Sequence, residues 1–199
     1  MPRSTQFFLT LLTVNFFLFS NVFASSKEFF ILAKVNQSVI TNYDLSKKIA
    51  FMQIVIPTFG KLKTEDQNQY AMQSLIQDEL RYDYAKKINF QLDDKQKAEY
   101  INLVILDFSK IKTIKNIKNF VLNYGNFIES EALWRAIIEK NIRPKVQISQ
   151  EMVDEVFKKH QGRKLSKDEI TQMLIDEQIQ LQSQQILESV RRVGIIEFM

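Results

Sequence analysis

Every glycine in this chain falls where a three- and four-residue apolar repeat stops. Gly60, Gly125, Gly162 and Gly194, with Pro57 and Pro144, separate segments whose apolar side chains recur at helical spacing. Four glycines in 199 residues argue against phosphate-cradling loops, and between the breaks the patterns are mostly helical. A mainly helical fold follows. With 45% hydrophobic residues the chain can bury a core, and intrinsic disorder is excluded for most of it.

Helix starts are written in the caps. Thr41 with Asp44 predicts a capping box and a helix to Val55, which Pro57 ends. Thr64 with Gln67 opens a second helix, with Met72, Leu75, Ile76, Leu80, Tyr84 and Ile88 in phase. Asp93 with Gln96 opens a third, carrying Ala98, Ile101, Ile105 and Phe108 on one face; the adjacent carboxylates of Asp93 and Asp94 read as capping, since neighbours on a helix point in different directions. A fourth helix is expected over 114–123, closed by Gly125, and a fifth over 128–142, stopped by Pro144. Ser149 caps a short helix to Lys159, and Ser166 with Glu169 begins a long one over 167–192 that Gly194 ends. The apolar residues of that last helix cover more than one stripe, which predicts burial on two sides. Its glutamines, Gln172 to Gln185, fall into a solvated face.

Residues 29–35 and 39–41 read as two short strands around Asn36-Gln37-Ser38. The β-prone end, residues 195–199, is expected to pair with the first of them and so join the two ends of the chain. The fold class is therefore mainly α with a small terminal sheet, organised as a helical core over 42–144, a short helix over 149–160 and a returning helix and strand over 166–199.

Residues 1–24 contain Arg3, no acid, an apolar run from Phe7 to Phe19, and Val22-Phe23-Ala24. That is the layout of a secretory signal peptide cleaved after Ala24, and the run is shorter than the roughly 20 apolar residues of a spanning helix. Export to the periplasm of a Gram-negative cell is the expected address. Cleavage leaves 26 Lys+Arg against 23 Asp+Glu, a net charge of +3 on 175 residues.

The chain has no cysteine and one histidine, which excludes disulfides, thiolate metal sites, cysteine nucleophiles and multi-histidine metal centres. His160 sits in a polar helix end and reads as a solvated terminus residue. No nucleophile and base can be assembled, so no enzyme, metal or cofactor is expected. The run Lys110, Lys112, Lys115 and Lys118 alternates with Ile111, Ile114 and Ile117. It reads as a solvated helical face above a buried isoleucine row, with transient contact to an anionic membrane surface or an acidic partner as the alternative; nucleic acid is not expected outside the cytoplasm.

The opening Ala33-Lys34-Val35-Asn36-Gln37-Ser38-Val39-Ile40-Thr41-Asn42-Tyr43-Asp44-Leu45 resembles the strand–turn–strand–helix start of SurA-type periplasmic chaperones. Residues 71–80 with Ala85-Lys86-Lys87-Ile88 are similar to the second helix of that family. The segment 148–153 is similar to the short helix that leads there into a parvulin-type prolyl isomerase domain. Between Met152 and the last helix only residues 154–165 remain, far too few for such a domain. The resemblance therefore implies an ATP-independent holdase for unfolded outer-membrane or secreted polypeptides, without isomerase activity and without a small-molecule substrate. Its client surface is expected at Phe51, Met52, Phe59, Tyr124, Phe127 and Trp134, which flank the helix junctions. The competing readings are a non-catalytic docking subunit for one envelope partner and a degenerate peptidyl-prolyl isomerase.

Overall fold

The computed structural model describes residues 28–159 and 165–199. The expected leader, residues 1–24, and His160 with Gly162 lie outside them. The chain divides into a first unit, residues 1–30, and a second, Ile31–Met199. The second holds every described helix and strand.

The fold is mainly helical with one small antiparallel sheet. Strand β1 (Ile31–Val35) and β2 (Ser38–Thr41) form a hairpin, and β3 (Ile196–Phe198) lies on the other side of β1, giving the order β2-β1-β3. The register pairs Ala33 with Phe198, Lys34 with Glu197 and Val35 with Ile196. The expected joining of the two ends is present. Asn36 makes the hairpin turn at φ 52, a backbone region that Asn tolerates better than most residues. Its backbone N–H donates to Ile195 O, its side-chain oxygen accepts from Ile195 N, both at 2.8 Å, and its amide donates to Asp83. Gly194 ends the last helix in an extended conformation, φ −78, and not in a left-handed one. A Cβ there would lie 3.4 Å from the Asn36 side chain and 3.2 Å from Val190 O, so the glycine serves close approach.

Six α-helices are present among the described residues: α1 (Asn42–Val55), α2 (Thr64–Lys87), α3 (Asp94–Ser109), α4 (Ile117–Ile137), α5 (Gln150–Lys159) and α6 (Lys167–Val193). The capping boxes at Thr41/Asp44 and Ser166/Glu169 form as expected, and Asp93 caps α3. Thr64 does not cap α2. The cap position is Lys63, and Gln67 instead donates its side-chain amide to Leu62 O. The far end of α2 closes with Asn89 at φ 50, its N–H on Lys86 O, while Phe90 N donates to Ala85 O, a pair of bonds that satisfies the last carbonyls.

Three expectations are corrected. The helices expected over 114–123 and 128–142 abut within α4: the break is present, as non-helical backbone at Tyr124 (φ −124, ψ 20), but no connecting segment separates them, and the α-helical span is Ile117–Ile137. Glycine costs only about 1 kcal/mol in a helix interior. Burial of Phe120, Phe127 and Ile128 on either side outweighs that, so the chain kinks and does not stop. It then passes through a π-turn, Ile138–Ile142, and a 3-10 turn, Arg143–Lys145, that holds Pro144. Second, the lysine run is not a helical face. Residues 111–116 form turns between α3 and α4, with Ile114 and Ile117 packed on the core and Lys112, Lys115 and Lys118 exposed. Third, α6 is buried along one stripe, Ile170, Leu174, Ile179, Ser183, Leu187 and Val190, while Met173 and Leu181 are exposed. Its partners change along its length, about 40 Å for 27 residues. Ile170 and Leu174 form a small core with Val153 of α5, and Leu187 and Val190 join the main core with the sheet and α1, α2 and α4.

Candidate functional site

The main core is in part aromatic and in part ionic. On α1, Lys48, Phe51, Met52 and Val55 follow the i, i+3, i+4, i+7 rule and share a face. Ser74, Asp78 and Arg81 do the same on α2, and Phe127, Glu131 and Arg135 on α4. These three faces, with Phe108 of α3, enclose a cavity of about 250 Å³.

Its aromatic wall is centred on Phe51. The ring lies 5.2 Å from Phe127, 5.5 Å from Tyr124, 5.7 Å from Phe120 and 5.7 Å edge-on from Phe108. A chain of charges runs beside these rings. Lys48 Nζ is 2.6 Å from Asp78 Oδ2 and 4.3 Å above the Phe127 ring. Asp78 also accepts from Ser130 Oγ at 2.9 Å. Arg81 Nη1 reaches Asp78 at 3.4 Å and Glu131 at 3.3 Å, and its guanidinium lies 5.5 Å from the Trp134 ring. Glu131 leads to Arg135 at 3.4 Å, Arg135 to Asp107 at 2.6 Å, and Asp107 to Lys110 at 2.8 Å. Lys48 and Asp78 are both buried, which is expensive unless each charge has a partner.

Asp107, at the outer end of the chain, has its carboxyl held down to about 2 by the hydrogen bonds that Lys110 and then Arg135 donate to it. The sign follows from the lowered value. Its contribution is complete above the unfolded pKa near 3.8 and disappears as the pH falls toward about 2. Urea midpoints measured between about pH 5 and pH 2 should therefore fall less steeply for Asp107→Asn than for the wild type; equal slopes would remove Asp107 from the acid response.

A second cavity, about 370 Å³, lies between α2 and α6 with Met52 at one wall, lined also by Tyr70, Gln73, Gln77, Leu80, Leu187 and Arg191. Met52 of α1 and Ser74 of α2 line both cavities, so the two are neighbours.

Of the six side chains expected to form a client surface, Phe51, Met52 and Phe127 line the first cavity. Tyr124 packs against Phe51 and Phe127 from behind. Trp134 stands on the far side of Arg81 against Tyr84. Phe59 is buried in the 3-10 turn Phe59–Lys61 and joins neither core cluster. Phe51, Phe59, Phe127 and Trp134 are buried, and Met52 and Tyr124 half-buried. None is an open surface residue.

Reading the sequence by aromatic residues misses the ionic wall. A signal for it exists. Asp78 is seven residues from both Ala71 and Ala85, in the buried phase of α2, and Lys48 is in phase with Phe51 and Val55. A charge in the apolar phase of a helix marks a buried partner on another element.

Among the described residues no group of three or more His, Asp or Glu is arranged to hold a metal ion, and no helix is long and apolar enough to cross a membrane. Compared with protein-family models and with curated proteins, the chain matches none.

Proposed function

We propose that this protein is an ATP-independent periplasmic holdase that binds unfolded outer-membrane or secreted polypeptides along α2. The observation that carries the reading is the pair of neighbouring cavities that share Met52 and Ser74. The first offers Phe51, Phe108, Phe127 and Met52 to apolar residues, and the second offers the amides of Gln73 and Gln77 to backbone groups. Methionine adapts its shape to different neighbours, which suits a binder that must accept many sequences. Release needs no nucleotide, because a holdase works by mass action: binding the unfolded chain lowers its free concentration and so slows aggregation. The resemblance of residues 33–45 and 71–88 to SurA-type chaperones supports the same client class.

The test uses the protein from Ser25 onward and a labelled outer-membrane β-barrel protein diluted out of urea. Micromolar binding and suppressed aggregation, with no binding to a folded soluble protein, are the expected results. Absence of any effect on the unfolded client would overturn the holdase reading. It would favour a docking subunit, for which Leu103 and Leu106 on α3 and Leu122 on α4, all exposed, provide apolar surface outside both cavities.

A further inference from the structure

The ionic wall of the first cavity is short of acceptors. Among the residues that line it, three cations, Lys48, Arg81 and Arg135, share two carboxylates, Asp78 and Glu131. The shortfall is sharpest at Arg81. Both of its carboxylate contacts fall on one nitrogen, Nη1, at 3.3 and 3.4 Å, and its Nε is buried with no hydrogen-bond partner. A buried donor left unpaired costs about 1–3 kcal/mol, so the Arg81 guanidinium is held with part of its hydrogen-bonding capacity unused. The two carboxylates that line the same cavity oppose an anion less than their number suggests, because each already lies within ion-pair distance of two cations.

Phe51, Phe108 and Phe127 line the same cavity as Arg81. An apolar cavity of about 150 Å³ takes a benzene ring. A volume of about 250 Å³ therefore admits one aryl or branched alkyl group together with a carboxylate, and little more.

We infer that this cavity is a binding site for a monocarboxylate whose apolar body is the size of one large side chain. The carboxylate is taken by the guanidinium of Arg81, whose planar fork matches two carboxylate oxygens, and the body lies against the three phenylalanines. The C-terminal residue of a polypeptide ending in an aromatic side chain and a small free aryl acid offer the same chemistry. A neutral amide offers one acceptor oxygen and no charge, and is the natural control.

The chain's single tryptophan, Trp134, lies beside Arg81 and reports on the site. Hydrocinnamate, hydrocinnamamide and acetate are titrated against the purified protein, with binding read from Trp134 fluorescence and from broadening of the ligand's NMR signals. The expected result is saturable binding of hydrocinnamate at least about tenfold tighter than of its amide, with acetate far weaker, because a charged hydrogen bond and an apolar body are both required. A short peptide ending in phenylalanine is then compared as free acid and as C-terminal amide. Binding of the acid form assigns the site to chain ends, and binding of hydrocinnamate alone assigns it to small acids. Arg81→Lys, checked for a native circular dichroism spectrum, should weaken binding about tenfold because a lysine keeps the charge and loses the fork. Should that variant not fold, the acid–amide comparison on the wild type still decides. Equal affinity for acid and amide, no saturable binding of either, or a folded Arg81→Lys variant that binds unchanged would each overturn the inference. It stands apart from the holdase reading: unfolded-client binding without an acid–amide difference overturns this site alone, and the converse result overturns the holdase alone.

Discussion

Replacing Lys48 with methionine should lower the unfolding free energy by about 3–5 kcal/mol, the usual cost of removing one partner of a buried ion pair. For a chain of this length that corresponds to a melting temperature lower by about 10 °C. The reason is what stays behind. Asp78 is buried and has its shortest contact, 2.6 Å, with Lys48. Without the ammonium it keeps the Ser130 hydroxyl and Arg81 at 3.4 Å, neither of which replaces a charge at that distance. Methionine has a similar stem and packs against the Phe51 and Phe127 rings, so lost volume is a small part of the effect; the cation above the Phe127 ring, at 4.3 Å, is lost as well. Asp78→Asn keeps an acceptor for Ser130 but strands the lysine. The double variant removes both charges and should cost at least about 1–2 kcal/mol less than the two single costs added together. Denaturant unfolding of the four proteins measures this directly. Strictly additive losses would mean that the pair does not couple α1 to α2.

The ease of reading this fold from its sequence differs from element to element for physical reasons. Helix starts are legible because a cap is a local device: Thr41, Asp93 and Ser166 need only the backbone three residues on. The failures are places where distant packing overrides local preference. At Gly125 the break is legible and falls at Tyr124, but Phe120 and Phe127, anchored around Phe51 of another helix, leave no room for a connecting segment there. The lysines after Lys110 have helical spacing, yet Ile114 reaches the core from a turn and Ile117 from the first residue of α4, and Thr113 fixes the segment by donating its hydroxyl to Ile54 O. The candidate site is legible in part. The aromatic residues stand out in the sequence, and Phe51, Met52 and Phe127 do come together. Which side of the core they face, and that Lys48, Asp78, Arg81, Glu131 and Arg135 form the charged lining, depends on how α1, α2 and α4 rotate against one another. No local pattern encodes that rotation.

Ending the chain at Gly194 should cost about 2–4 kcal/mol, on the order of several net hydrogen bonds at about 1 kcal/mol each. Residues 195–199 bring little apolar burial, since Ile195, Phe198 and Met199 are exposed and only Ile196 packs on the core. What they supply is pairing. Ile195 exchanges two bonds with Asn36 at 2.8 Å, Met199 N donates to Leu32 O at 3.0 Å, and β3 pairs with β1 across Ala33, Lys34 and Val35. Without it β1 becomes a bare edge with Ala33 and Val35 still fully buried on its inner face, which also invites association between molecules. Two substitutions separate the turn from the clamp. Asn36→Gly keeps a residue at ease with φ 52 and loses the side-chain bonds to Ile195 and Asp83. Asn36→Ala loses the same bonds and adds strain in the left-handed region, so it should be the less stable of the two by about 1 kcal/mol. In the chain ending at Gly194 the bond to Ile195 is already gone, and Asn36→Gly should then cost less than it does in the full chain. An unchanged melting temperature on truncation would mean that the return of α6 onto α2, through Leu187 and Val190, closes the fold by itself and that β3 only covers an edge.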